Sequence, residues 1–196
     1  DQNGHHRFIR DNCIACGNCI PHCPTGALEM VGKPMSVEMV LAEVLRDRIY
    51  YKLSRGGVTL SGGEPMMQIQ FTQTFLREAK LAGIHTCLET SGYLPRNRYE
   101  SIRSYVDLFL FDYKATDSNI HLSLTGVPNN RIMENLNFLY HAQAKIILRC
   151  PLIPGINDSQ THLEGITRLD KRYPNLVGIE IMAYHEIGNF KFLLEI

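Results

Sequence analysis

The chain carries no excess charge of either sign: Lys+Arg and Asp+Glu each number 20 across 196 residues. A neutral chain has no electrostatic reason to seek nucleic acid or an anionic membrane. Long apolar runs are missing as well. Leu108 to Phe111 is typical of the longest, far short of the roughly 20 residues that cross a bilayer as a helix. Neither a nucleic-acid nor a membrane partner is therefore expected. No secretory signal opens the chain. It begins with Asp1 rather than Met, so a natural N-terminus is expected upstream. Disorder is excluded too, because 44% of the residues are hydrophobic and 20% charged. A domain of this length can bury about 70% of its unfolded surface.

Cysteine is present in an informative pattern. Four of the six cysteines, Cys13, Cys16, Cys19 and Cys23, fall within eleven residues, while Cys87 and Cys150 stand alone. Clustering of this kind indicates metal in a reducing, cytoplasmic compartment rather than a disulfide framework. The run reads C-x2-C-x2-C-x3-C-P, the bacterial ferredoxin spacing for iron–sulfur ligation. Closely spaced thiolates can take successive corners of a cluster, Gly17 permits a tight turn, and Pro24 turns the chain away after the last ligand. A structural zinc site would need two C-x2-C knuckles about a dozen or more residues apart, and that gap is absent. Either all four cysteines share one cluster, or Cys23 serves a second cluster with other ligands elsewhere. Cys87 and Cys150 read as buried strand thiols.

The chain divides at about residue 34. Residues 1–34 are rich in Cys, Gly and Pro, with no helical or strand period, and read as a small iron–sulfur segment. Residues 35–196 alternate helical and strand patterns. Ser36 is a good N-cap for a helix with Val37, Val40, Leu41, Val44 and Leu45 on one face. Strands are expected at 57–61, 85–90, 107–114, 145–152 and 177–183. Helices are expected from Gln68 to Gly83, after Pro95, and over 131–142 and 158–171. Alternation of this kind implies parallel strands joined by right-handed crossovers. A (β/α) barrel and an open doubly wound sheet both fit. Five strands are too few for an eight-stranded barrel, so the α/β fold expected is a partial barrel or one that has lost a strand.

Polar residues follow the end of each strand pattern. They are Ser61-Gly62-Gly63-Glu64, Glu89-Thr90-Ser91, Asp112-Tyr113-Lys114, Arg149 and Tyr184-His185-Glu186. This is the edge where parallel α/β proteins bind ligands. Each also has a plainer reading. The glycine pair could be only a tight turn, and Glu64 could cap the next helix. Glu89, Asp112, Lys114 and Arg149 could close the barrel end as an ion-pair network. His85 and His121 read as surface histidines. Together the residues suit a zwitterionic, nucleoside-sized ligand. An ammonium could meet Gly62, Gly63 and Glu64, and a carboxylate could meet Lys114 and Arg149. Hydroxyls or a cation could meet Asp112 and Glu89.

These segments resemble the glycyl-radical-enzyme activating enzymes of the radical S-adenosylmethionine (SAM) superfamily, of the pyruvate formate-lyase activating type. The matching text is Gly57 to Pro65, Gly83 to Tyr93, Asp107 to Lys114, Thr125-Gly126-Val127, Pro151 to Asp158 and Tyr184 to Lys191. The resemblance implies a partial (β/α)6 TIM-like barrel, here lacking its first strand, beside a ferredoxin-like insert. It implies SAM and 4Fe-4S clusters as cofactors. Gly62, Gly63 and Glu64 would hold the SAM ammonium. Lys114, Arg149 and His185 would contact its carboxylate or ribose. Glu89, Thr90 and Asp112 would lie by a monovalent cation, with Glu89 standing where one branch has Asp. The implied reaction is one-electron cleavage of SAM, after which a 5′-deoxyadenosyl radical takes hydrogen from a glycine of a partner glycyl radical enzyme. A flavodoxin or ferredoxin would donate the electron.

One departure stands out. The family holds its cleavage cluster with C-x3-C-x2-C, and no such motif occurs in this chain. The resemblance therefore implies a fragment that starts inside the insert and is inactive alone. Two other functions fit the ferredoxin run: a non-catalytic electron-transfer module, and a radical SAM enzyme acting on a small molecule.

Overall fold

A computed structural model describes residues 9–30 and 32–184. The chain forms two compact units, Asp1–Ser36 and Val37–Ile196. In the first, a 3₁₀ turn at Arg10–Asn12 precedes a series of tight turns. Ile20 N–H donates to the Gly17 carbonyl at 3.1 Å, Cys23 N–H to Ile20 at 3.1 Å, and Gly26 N–H to Cys23 at 3.2 Å. Nearly all of its described side chains are exposed or half-buried. Its folding therefore draws little on a hydrophobic core, as expected where metal ligation supplies the missing energy.

The second unit opens with α1 (Val37–Arg46) and α2 (Arg48–Ser54). It continues β1 (Gly57–Leu60), α3 (Ile69–Leu81), β2 (His85–Thr90), α4 (Arg96–Ile102), β3 (Leu108–Asp112) and α5 (Ser118–Thr125). It closes with α6 (Asn130–His141), β4 (Ile146–Leu152), α7 (Gln160–Arg172) and β5 (Gly178–Ala183). All five strands are parallel and lie in sequential order. That order decides between the two architectures left open by the sequence. A doubly wound sheet reverses direction at a switch point, whereas here every crossover steps one strand the same way. Right-handed crossovers that all step in one direction put every helix on one face. The result is part of a (β/α) barrel.

Strand alternation separates the two faces of the sheet. Leu88, Phe109, Phe111, Ile146, Leu148 and Cys150 pack outward against Leu76, Tyr99, Ile102, Ile132, Leu136, Leu139, Ile166 and Leu169 of the helices. Each such side chain contributes about 1.5–3 kcal/mol when fully buried. The opposite, concave face carries Thr59, Cys87, Glu89, Leu110, Asp112, Ile147, Arg149 and Glu180, which sit side by side in the strand registers. Four of these eight residues are charged, so this face is shaped for polar chemistry rather than for packing.

Two helices escaped the sequence reading. α2 follows α1 after a one-residue break, lies beyond the apolar face read over Val37 to Leu45, and buries none of its residues. α5 buries only His121 along its length, and so shows no apolar stripe. Its caps are nevertheless plain. The Asp117 carboxylate accepts from Asn119 and Ile120 N–H at 2.8 and 3.0 Å, and Gly126 closes the helix. Among the described residues no helix is long and apolar enough to cross a membrane.

Candidate functional site

The loop after β1 turns at Gly62, whose φ of +118° lies where side chains are strained. No atom lies within 4 Å of where a Cβ would sit on Gly62 or Gly63, so the loop offers bare backbone to a ligand. Glu64 follows. Its carboxylate caps the 3₁₀ turn Pro65–Gln68 by accepting from Met66 N–H at 3.2 Å. It also accepts from the Thr90 hydroxyl at 3.0 Å, the Ser91 hydroxyl at 2.7 Å and Ser91 N–H at 2.9 Å. The capping role and the site role thus coexist in one side chain. Thr90 is 2% exposed, and its hydroxyl also meets Tyr99 Oη at 3.2 Å. Burial, foremost, pushes the Tyr99 phenol up to about 12, so it stays protonated. Among the described residues no Lys, Arg or His pairs with Glu64. The loop therefore presents a rigidly held carboxylate with no cationic partner among the described residues.

Glu89 and Arg149 meet each other. Arg149 Nη1 donates to Glu89 Oε1 at 2.5 Å, and Ser61 Oγ donates to Glu89 Oε2 at 2.7 Å. Arg149 Nε lies 3.7 Å from Glu180 Oε2, too far for a hydrogen bond, and is buried without a partner. A polar line Ser61–Glu89–Arg149–Glu180 therefore spans the concave face from β1 to β5. This is the ion-pair arrangement offered above as the plainer reading for Glu89 and Arg149, and it leaves the buried Nε–H of Arg149 without an acceptor. Ser61 comes from the strand-end set already named, and Glu180 is the unforeseen member. A lone acid inside the apolar pattern Gly178-Ile179-Glu180-Ile181 was the signal for Glu180.

Asp112 and Lys114 form a second pair at 3.1 Å. They line a hollow of about 310 Å³ together with Ser91, His121, Thr125 and Val127. Ser91 joins the hollow to Glu64. His121 is 4% exposed, not a surface histidine as its sequence context implied, because α5 folds it back under its own C-terminal turn. His85 is exposed as expected.

Three buried asparagines hold the loops of this edge. Asn135 Nδ2 donates to the Gly92 and Leu94 carbonyls at 2.7 and 2.8 Å. Asn129 Nδ2 donates to Ala115 and Thr116 at 3.1 and 3.0 Å. Asn157 Nδ2 donates to Lys114 and Pro151, both at 2.8 Å, and its Oδ1 accepts from Ile153 N–H at 2.6 Å. Gly92 completes the frame, since a Cβ there would lie 2.2 Å from the Phe111 ring. Sequence reasoning missed all three amides because isolated asparagines carry no periodic signal.

Cys87 and Cys150 are 7% and 0% exposed. Burial pushes the Cys150 thiol up to about 12 and raises Cys87 as well, so both are inert thiols. In the other unit, Cys13, Cys16 and Cys19 are exposed and Cys23 is half-buried, all with free thiols. The Thr25 hydroxyl, helped by the Leu28 backbone, brings the Cys23 thiol down to about 7. Cys13 and Cys19 line a common hollow of about 220 Å³ with Gly17 and Met30. Among the described residues no three Cys, His, Asp or Glu side chains converge as metal ligands. His185 lies outside the described residues.

Residues 16–164 match the Radical SAM superfamily. The choline trimethylamine-lyase activating enzyme of Oleidesulfovibrio alaskensis is 39% identical over 92% of this chain and 69% of its own length. The isethionate sulfite-lyase activating enzyme of Desulfovibrio desulfuricans is 38% identical over 95% of this chain, which spans 60% of that relative's length. A domain of pyruvate-formate lyase-activating enzyme from Bacteroides vulgatus superposes with a TM-score of 0.63 at 28% identity, covering 67% of this chain and 82% of that one. The chain belongs to the radical SAM superfamily and, within it, to the glycyl-radical-enzyme activating enzymes.

Proposed function

We propose that this chain is the SAM-binding part of an enzyme that installs a glycyl radical on a partner protein. The observation that carries the reading is the Glu64 carboxylate, which has no cationic partner among the described residues, beside the open Gly62-Gly63 backbone, with Lys114 close by across Ser91. The residues suit SAM. Glu64 and the glycine carbonyls offer an ammonium both charge and acceptors. Lys114 offers a donor to a carboxylate, and Arg149 adds positive charge from the strand position next to Asp112. Asp112 offers an acceptor to a hydroxyl. Thr90, Tyr99 and the three asparagines set these groups in place beforehand and reduce the ordering cost of binding.

The cysteine run suits an iron–sulfur cluster by its donors, four thiols of which Cys13 and Cys19 already line one apolar hollow. When bound, SAM and a reduced 4Fe-4S cluster supply one-electron chemistry that removes a hydrogen atom from the substrate. This chain's own residues supply orientation and water exclusion. The 196 residues contain no C-x3-C-x2-C triplet, so we assign SAM cleavage to a chain that also carries that triplet. The electron donor is assigned as a flavodoxin or ferredoxin and the substrate as the glycyl segment of a partner enzyme.

The test joins the chain to a segment carrying the triplet. The protein is reconstituted anaerobically with iron and sulfide, then incubated with SAM, a strong reductant and a set of glycyl radical enzymes. The expected result is 5′-deoxyadenosine released in step with a glycyl radical signal on one partner. Release of 5′-deoxyadenosine with no radical on any partner would favour a small-molecule substrate. Repeated turnover by the 196-residue chain alone would overturn the assignment of the cleavage cluster.

A further inference from the structure

His121 belongs to α5, a helix whose other side chains are exposed or half-buried. Its ring is 4% exposed and lines the hollow that contains Asp112 and Lys114. Nδ1 lies 2.7 Å from the Val127 carbonyl oxygen and 3.0 Å from Thr125 Oγ1. A carbonyl can only accept, so Nδ1 carries the hydrogen and donates to Val127. The neutral ring then has its lone pair at Nε2, and among the described residues nothing donates to that atom. Nε2 is not among the buried side-chain atoms left without a partner, so it is not sealed in the core but reached from the hollow that the residue lines. The Nδ1 bond alone fastens the turn, which leaves the Nε2 lone pair for a ligand in the hollow.

We propose that His121 is a ligand-binding residue whose Nε2 accepts a hydrogen bond from the nucleoside part of the ligand in this hollow. The inference rests on the SAM reading given above. Of the donors on SAM, the ammonium is matched by Glu64 and the glycine carbonyls. The ribose hydroxyls and the adenine amine remain. An uncharged acceptor suits either one, since both are neutral donors. His121 also lies beyond Asp112 in the chain, on the element that follows β3, away from the Gly62–Glu64 loop in sequence and joined to it through the hollow at Ser91.

The imidazole does two jobs through two atoms, and two substitutions separate them. In His121→Asn the amide nitrogen replaces Nδ1, so donation to Val127 survives and the Nε2 acceptor is lost. In His121→Gln the amide oxygen stands near Nε2, so the acceptor survives and the Val127 bond is lost. Binding is measured by calorimetry for SAM, S-adenosylhomocysteine and S-methylmethionine, alongside thermal unfolding of each variant. The last ligand keeps the sulfonium, ammonium and carboxylate but has no nucleoside.

The expected result for His121→Asn is an unchanged unfolding midpoint and about fivefold to tenfold weaker binding of SAM and S-adenosylhomocysteine, the loss of one neutral hydrogen bond. Its affinity for S-methylmethionine should match the parent's. His121→Gln should unfold earlier yet keep its SAM affinity within about twofold. S-inosylhomocysteine, which lacks the exocyclic amine, identifies the donor: a persisting deficit assigns it to a ribose hydroxyl and a vanished one to the amine. Parental affinity of His121→Asn for every ligand would overturn the proposal and leave His121 a structural residue. An equal loss for S-methylmethionine would overturn it too, by showing general damage to the site. A parent chain that binds neither SAM nor S-adenosylhomocysteine would instead overturn the SAM reading itself.

Discussion

Arg149→Met tests whether the concave face is held together by its polar line. The substitution keeps an unbranched apolar stem and removes a charge-assisted bond to Glu89 Oε1. Such bonds are worth about 1.5–3 kcal/mol net. Two features limit the loss. The Glu89 side chain is 31% exposed, so water reaches it, and it keeps the Ser61 hydroxyl. Glu180 is 53% exposed and 3.7 Å from Arg149, so that contact adds little. The expected cost is about 2 kcal/mol, or a fall of about 4–8 °C in Tm for a chain of this size. Urea titration followed by circular dichroism measures it. Arg149→Met combined with Glu89→Gln should recover part of the loss, because no carboxylate is then left half-buried and unpaired. A single variant within about 0.5 kcal/mol of the parent would refute the reasoning, as would strictly additive losses in the double variant.

Two further outcomes follow from the same packing. Asn157→Ala leaves the Lys114 and Pro151 carbonyls and Ile153 N–H without their partner. The expected cost is about 3 kcal/mol, with faster hydrogen exchange at Ile153, whereas Asn157→Asp should keep the Ile153 bond and lose only the two donors. His162 is a pH element: burial holds its pKa below the ordinary imidazole value, and its Nδ1 accepts from Thr116 N–H at 3.1 Å. The fold thus favours the neutral ring. Its contribution is complete above the unfolded pKa of about 6.5 and is lost as pH falls below it, since the unfolded chain then binds the proton more readily. Urea midpoints measured between neutrality and about pH 5 should fall in the parent and flatten in His162→Gln.

Elements with one buried face were legible in the sequence. The strand pattern at 85–90 was placed to the residue, and α3, α6, α7 and β4 within one or two. A period of two or of 3.6 is visible when a face is buried. α5 fails that condition, because His121 is its single buried residue and its apolar Ile120, Leu122 and Leu124 stay exposed. Strand order was not legible, because local patterns do not encode which strand a crossover reaches. The candidate site was legible as a set, since five strand ends deliver polar groups to one edge. Its internal pairing was not. Whether Arg149 meets a ligand or Glu89 depends on a reach across β3 from β4 to β2, which no sequence pattern reports. The asparagine bonds are equally silent, as each joins residues far apart in the chain.

The central claim is that the edge formed by Gly62, Gly63, Glu64, Asp112 and Lys114 binds SAM. Calorimetric titration of SAM into the 196-residue chain tests it most directly, with Glu64→Gln as the decisive variant. Glutamine keeps the shape of the side chain and one oxygen for the Thr90 and Ser91 donors, gives up the Met66 bond, and removes the charge that faces an ammonium. The account predicts saturable binding at one site in the parent. It predicts about 10- to 100-fold weaker binding in the variant, the worth of one charge-assisted contact, with the lower unfolding midpoint expected from the lost Met66 bond measured alongside. Equal affinity in the two chains, or no saturable binding in the parent, would contradict it.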